Sequence, residues 1–262
     1  MDLVVSGRKV FAGTGGRAFD ARLPAVAFIH GAGMDHTVWP LQARWFAHHG
    51  RSVMAFDLPG HGRSEGPALG SIEAMADWLL AALDAAGVKT ASLVGHSMGA
   101  LISLAAAAKA PERVTKLALL GVSSPMKVHP DLLDAARHNE PLAYSLVASW
   151  AHGRRAHLGG HTAPGLWMIG GGLRLLGHAQ PGVLASDLVA CDAYAGAEAA
   201  ARGAASPMLV VAGETDIMTP ARFAKPLVEA AREGRLETIK GAGHMMMVEQ
   251  PDATLDVLKA FL

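Results

Sequence analysis

The chain has 262 residues, 51% of them hydrophobic and 18% charged, which excludes a disordered segment and a small scaffold dependent on staples. Lys plus Arg number 23 and Asp plus Glu 23, without the basic surplus that a nucleic-acid partner requires. Cys191 is the single cysteine, so no intrachain disulfide can form, as expected in a reducing, cytoplasmic compartment.

The N-terminal stretch MDLVVSGRKV has no apolar signal-peptide core. Residues 26–29 (VAFI) predict a buried strand ending at His30 and Gly31, and 53–56 (VMAF) a second ending at Asp57. Ser71 can cap a helix whose apolar positions continue through Leu83 to a stop at Gly87. Residues 91–94 predict a third strand, 98–110 a helix stopped by Pro111, and 116–120 a fourth strand. Residues 208–212 (MLVVA) and 236–239 predict two more, with a helix over 220–231 that starts at Pro220 and a closing helix over 254–261. Apolar runs without alternation indicate strands covered on both faces. Alternation of strands and helices then predicts an α/β fold with a mostly parallel central sheet flanked by helices.

Residues 90–108 carry no formal charge and match a membrane span in length. Their internal order, β-like residues, a Gly-rich turn, then alanines, reads instead as strand, turn and buried helix, so no membrane span is expected. The rhythm breaks between about residues 123 and 206, where no clear strand occurs and Trp150, Trp167 and several glycines cluster. An inserted, mainly helical cap is predicted there, with residues 1–122 and 207–262 forming the core.

Gly95-His96-Ser97-Met98-Gly99 matches G-x-S-x-G between a predicted strand and an alanine-rich helix. A serine hydroxyl becomes a useful nucleophile when a sharp strand-to-helix turn exposes it and a base reaches it. Flanking glycines allow the turn to pack closely, and the helix aims its N-terminal N–H groups at the reacting oxygen. An ordinary tight turn would not require this context.

Four motifs in order carry a resemblance to the α/β-hydrolase superfamily: His30-Gly31-Ala32-Gly33, the loop DLPGHGRS from Asp57, the turn at Ser97, and the pair Gly213-Glu214-Thr215-Asp216 and Gly243-His244. The resemblance covers most of the chain outside the predicted cap and is closest to its esterase and carbon–carbon hydrolase branch. It implies Ser97 as nucleophile, His244 as general base and Asp216 as the acid that orients it. Glu214 is a nearby rival for the acid, whereas Gly121-Val122-Ser123-Ser124, after another strand, contains no carboxylate. The implied oxyanion donors are the backbone N–H of Met98 with that of Ala32 or Gly33. Arg63 is expected to support the loop that begins at Asp57.

His157 and His161 have a helical metal-ligand spacing but no carboxylate or cysteine joins them locally, so no metal is assigned. Cys191 reads as a buried cap residue, and Met245, Met246 and Met247 as packing around the base. Neither a phosphate loop nor a dinucleotide fingerprint is present, and no cofactor is needed. The expected reaction is cofactor-free cleavage of an ester, lactone or thioester in a small-molecule substrate. The cap's few formal charges suggest an apolar pocket, with Trp150, Trp167 and Met168 as candidate substrate contacts. A carbon–carbon hydrolase with the same triad, a cofactor-free perhydrolase and a ligand-binding receptor reusing the fold are the alternatives. Oligomeric state is left open by the sequence.

Overall fold

The computed structural model describes residues 1–161 and 165–262. Its strands are β1 (Asp2–Val5), β2 (Arg8–Gly13), β3 (Ala25–Ile29), β4 (Ser52–Phe56), β5 (Ala91–His96), β6 (Val114–Leu120), β7 (Met208–Gly213) and β8 (Gly234–Ile239). They form one sheet in the order β1-β2-β4-β3-β5-β6-β7-β8. β1 and β2 pair antiparallel, β2 joins β4 antiparallel, and all pairings from β4 to β8 are parallel. Every residue of β3, β4, β5 and β7 is buried, which is why these segments read as continuous apolar runs.

The hairpin of β1 and β2 was not among the expected strands. Its signal is local: Ser6 and Gly7 both take positive φ, 50° and 79°, in a two-residue turn between paired Val5 and Arg8. These strands lie at the sheet edge and are partly exposed, so they lack the apolar run that marks the central strands.

The helices are α1 (Pro40–His48), α2 (Ile72–Ala85), α3 (Met98–Lys109), α4 (Pro130–Arg137), α5 (Pro141–Trp150), α6 (Arg154–His157), α7 (Met168–Leu176), α8 (Val183–Ala193), α9 (Ala197–Gly203), α10 (Lys225–Ala230), α11 (Met246–Glu249) and α12 (Pro251–Phe261). Ser71 caps α2 by accepting the Ala74 N–H at 3.2 Å, and Gly87 follows its end at φ +70°. α3 is buried on most of its surface and stops before Pro111. The helix expected from Pro220 is different. Residues Ala221–Phe223 make a single 3₁₀ turn, and Pro226 occupies the first turn of the shorter α10. None of the described helices is long and apolar enough to cross a membrane.

Helices α4 to α9 occupy the stretch between β6 and β7, where the described residues contain no strand; residues 162–164 of the expected cap lie outside the described residues. Leu132, Ala135, Val147, Leu176, Leu184 and Leu188 share a small core of their own. Cys191, Tyr194, Ala197, Ala200 and Ala201 join the core on the sheet side of the molecule. The insert therefore has its own apolar centre, and its last helices pack into the main one.

The strand order reverses at β3: β4 lies on one side of it and β5 on the other. In an open parallel sheet, a crevice opens outside the carboxyl ends of strands where their connections diverge. The loops after β3 and β5 meet there, with those after β7 and β8 alongside. Close backbone approach controls this end of the sheet. A Cβ on Gly95 would collide with the Gly99 carbonyl, and one on Gly99 with the carbonyls of Ile29 and His30. Gly99→Ala should therefore lower unfolding stability by at least about 1–3 kcal/mol, because backbone must move to admit the methyl group. Urea unfolding checks this; parent-like stability would show that α3 has room to shift.

Candidate active site

Ser97 follows β5 with φ 54° and ψ −117°, a conformation that L-residues rarely adopt. Its amide donates to the Leu120 carbonyl at 2.9 Å, tying the turn to β6. Its side chain does not cap α3, so the hydroxyl is not committed to the helix it precedes.

His244 follows β8. Its Nδ1 lies 2.8 Å from Asp216 Oδ2, in a pair that is almost wholly buried. Asp216 Oδ1 accepts the amides of Met218 and Thr219 at 2.8 and 2.9 Å, and Oδ2 accepts the Thr219 hydroxyl at 2.7 Å. Burial alone would raise the Asp216 carboxyl, but His244 and these donors hold it well below the usual carboxylate range. An ionised acceptor at Nδ1 places the imidazole proton there and leaves Nε2 as the basic nitrogen. Glu214 is exposed and accepts the Gly241 amide at 2.8 Å, so the contact to His244 belongs to Asp216.

Two neighbours shape the His244 loop that the sequence did not single out. Gly121 sits where a Cβ would come 2.9 Å from the His244 ring. His96, fully buried beside Ser97, donates from Nε2 to the His244 carbonyl at 3.0 Å. Burial, then the proximity of His244, pushes the His96 ring well below the ordinary imidazole range, so it remains neutral.

The loop after β3 is held peptide by peptide. The Leu58 amide donates to His30 Nε2 at 3.1 Å, so His30 Nδ1 carries the proton and donates to the Gly31 carbonyl at 2.8 Å. Burial and nearby His61 pull His30 down to about 3, which keeps it neutral. In a trans peptide the C=O and the following N–H point in opposite directions, so this contact turns the Ala32 N–H away from His30. The Gly33 amide donates instead to Asp187 Oδ2 at 2.8 Å. Of the two candidate donors in this loop, Gly33 is thus already engaged, and Ala32 remains.

Ser97, His244 and Ala32 line one cavity of about 450 Å³. Its other walls include Met34, Met126, Val147, Trp150, Leu184, Leu188, Cys191 and Ile217, most of them apolar. The chain from residue 24 to 159 matches the family model described as "alpha/beta hydrolase fold". The chain belongs to the α/β-hydrolase family. Residues 185–262 also match a model described as "TAP-like protein". The hydrolase is 24% identical over 243 residues to the (E)-2-((N-methylformamido)methylene)succinate hydrolase of Acinetobacter baylyi, covering 90% of this chain and 89% of the relative. It is 28% identical over 265 residues to the pimeloyl-[acyl-carrier protein] methyl ester esterase of Photobacterium profundum, covering 90% and 94%. Its fold is similar to that of the enol-lactonase from Burkholderia xenovorans LB400, with a TM-score of 0.86, 22% identity and 100% and 99% of the two chains covered.

Trp150 stands in the cavity wall of the hydrolase, edge-on to His129 with ring centroids 5.4 Å apart. Trp167 does not: it is 66% exposed and its ring lies against Gly170 at the surface. Met168 is buried outside the cavity. Their proximity to Trp150 in the predicted cap was compositional, and helix geometry directs them elsewhere. Cys191 is buried and lines the cavity; burial, then the charges of Asp187 and Asp192, raises its thiol and leaves it protonated. His157 and His161 turn to separate carbonyls, of Ser149 at 3.1 Å and Val248 at 3.0 Å. Asp57 accepts the His36 and Arg63 amides at 2.8 and 2.9 Å, and Arg63 stacks over Phe11 at 3.6 Å, the supporting role expected of it.

Two buried carboxylates bridge the insert and the loops at the cavity end of the sheet. Glu249 accepts the amides of Gly153 and Gly243, each at 2.8 Å. Asp187 on α8 accepts from Gly33 and from His61 Nε2, the latter also at 2.8 Å. Burial disfavours a charged His61, but the charge and hydrogen bond of Asp187, then the Pro59 carbonyl and Asp57, outweigh it and raise the ring above its ordinary value. The folded state thus favours imidazolium. Its contribution to stability is complete below about pH 6.5, the ordinary imidazole value, and is lost as pH rises through the raised one. The thermal midpoint should fall more steeply above that pH in the parent than in His61→Gln. Identical slopes for the two proteins would assign the dependence to another group.

Proposed function

We propose that this hydrolase cleaves a carboxylic ester, lactone or thioester with an apolar acyl or aryl group through an acyl-enzyme on Ser97. The observation that carries this reading is the meeting of Ser97, in its strained turn, with the Asp216-bound His244 on one apolar cavity. His244 Nε2 takes the Ser97 proton as Oγ forms a bond to the substrate carbonyl carbon. The resulting oxyanion receives the backbone N–H groups of Met98, the first residue of α3 and so without an intrahelical acceptor, and of Ala32. His244 returns the proton to the leaving alcohol or thiol as its bond to carbon breaks. Water, activated by the same nitrogen, then releases the acid and restores Ser97.

The insert acts as a cap that supplies the acyl wall through Val147, Trp150, Leu184 and Leu188. Lys127, also at this cavity, donates to the Asp192 carbonyl at 2.6 Å and lies 3.6 Å from its carboxylate. With that cation partnered, an uncharged acyl group suits the walls better than a carboxylate.

Ser97→Ala and His244→Ala should each lower kcat on chromogenic esters by at least about a thousandfold while the proteins stay folded. Retained turnover in Ser97→Ala would refute the assignment. Each buried methylene is worth about 0.8 kcal/mol, so kcat/KM should rise about tenfold from acetate to butyrate esters until the cavity is full. Trp150→Ala should flatten this dependence, and Trp167→Ala should leave it intact. Equal kcat/KM for acetate, butyrate and hexanoate in the parent would contradict an apolar acyl pocket.

A further inference from the structure

α8 reaches the loop after β3 with one charged side chain and one apolar one. Asp187 is fully buried, and a single oxygen, Oδ2, receives both the Gly33 amide and His61 Nε2 at 2.8 Å. Its other oxygen, Oδ1, is buried and has no hydrogen-bond partner among the described residues. A carboxylate is costly to bury in this way, and one that mainly served packing could be replaced by an apolar residue without loss. Gly33 itself has φ +66°, and a Cβ there would lie 3.0 Å from Leu184 and 3.2 Å from Leu176. Leu184 precedes Asp187 by one helical turn and also lines the cavity. The loop is thus held at two consecutive peptides: His30 holds the Gly31–Ala32 peptide, which carries the Ala32 N–H, and Asp187 holds the Ala32–Gly33 peptide that follows it.

We infer that Asp187 is a positioning residue: by holding the Gly33 amide it fixes the peptide on the far side of the Ala32 Cα and so keeps in place the Ala32 N–H that His30 orients, so that the insert itself completes the oxyanion site. This inference rests on the proposed acyl-transfer reading. It follows that α8 links two functions usually separable in a hydrolase, since the helix that forms the acyl wall also aligns the donor that stabilises the transition state. Asp187 touches no reacting atom. Its effect should therefore appear in the transition state and spare ground-state binding. His61 secures the carboxylate from the other side; besides Asp187, the titratable groups facing that ring are His30, with ring centroids 4.9 Å apart, and Asp57.

The test compares two inhibitors, an alkyl trifluoromethyl ketone, which adds to the serine and presents an oxyanion, and the corresponding methyl ketone, which binds without charge. Asp187→Ala should weaken the trifluoromethyl ketone about tenfold to a hundredfold and lower kcat by a similar factor, with methyl ketone affinity and KM within about twofold. Asp187→Asn, which retains an oxygen for the Gly33 amide, should restore kcat to within about threefold of the parent. Should Asp187→Ala not fold, the double variant His61→Phe/Asp187→Leu replaces the buried pair with apolar side chains and reads the same ratio. Parent-like trifluoromethyl ketone affinity in folded Asp187→Ala or in the double variant, or equal weakening of both ketones, overturns the inference alone. A parent inert toward every ester overturns the acyl-transfer reading, and the inference with it.

Discussion

The backbone contact between Gly95, Gly99 and the end of β3 sets the geometry on which the remainder of the site depends. With no Cβ at either glycine, α3 can start directly against the carbonyls of Ile29 and His30, and the chain can turn from strand to helix within one residue. That residue is Ser97, and its positive φ is the local strain through which the turn is made. The surrounding parallel strands, buried on both faces, resist any relaxation that would remove it. The helix N-terminus is consequently fixed beside the hydroxyl, and the neighbouring loop after β3 is fixed opposite.

Around this centre the molecule uses buried polar groups as cross-ties. His30 turns one peptide of the β3 loop, Asp187 the next, His96 holds the carbonyl of His244, and Glu249 holds the amide preceding it. Two of these residues, Asp187 and Glu249, also anchor the insert, through contacts to Gly33 and Gly153 that are distant in sequence. Because isolated buried charges are expensive, such ties persist when their hydrogen bonds are made, which favours one arrangement of insert over sheet. α8 supplies both cavity-lining Leu184 and Leu188 and the carboxylate that holds the Gly33 amide.

Much of this was legible in the sequence because it is local. Strand, turn and helix around Ser97 are contiguous, and the unbroken apolar runs of β3, β4, β5 and β7 report burial on both faces. The order of Ser97, Asp216 and His244 matched a known family pattern, and the structure joins the last two by a hydrogen bond. What was not legible depends on tertiary contact. Gly33 and Asp187 are 154 residues apart, and nothing near either announces that the amide will be occupied. Trp167 and Trp150 look alike in composition, yet one faces solvent and the other the cavity. The β1–β2 hairpin left a weak signal because its strands are short and partly exposed, with an apolar run of only three residues in β1, although its Ser6-Gly7 turn was readable.

The proposed reaction requires the strained serine after β5 to be an activated nucleophile. Only a hydroxyl with an adjacent base reacts rapidly with a fluorophosphonate. Incubating the folded hydrolase with such a probe and mapping the labelled peptide tests this most directly. One equivalent of label is expected, carried by Ser97 and absent from Ser97→Ala. Label on a different serine, or a parent protein that takes none, would contradict it.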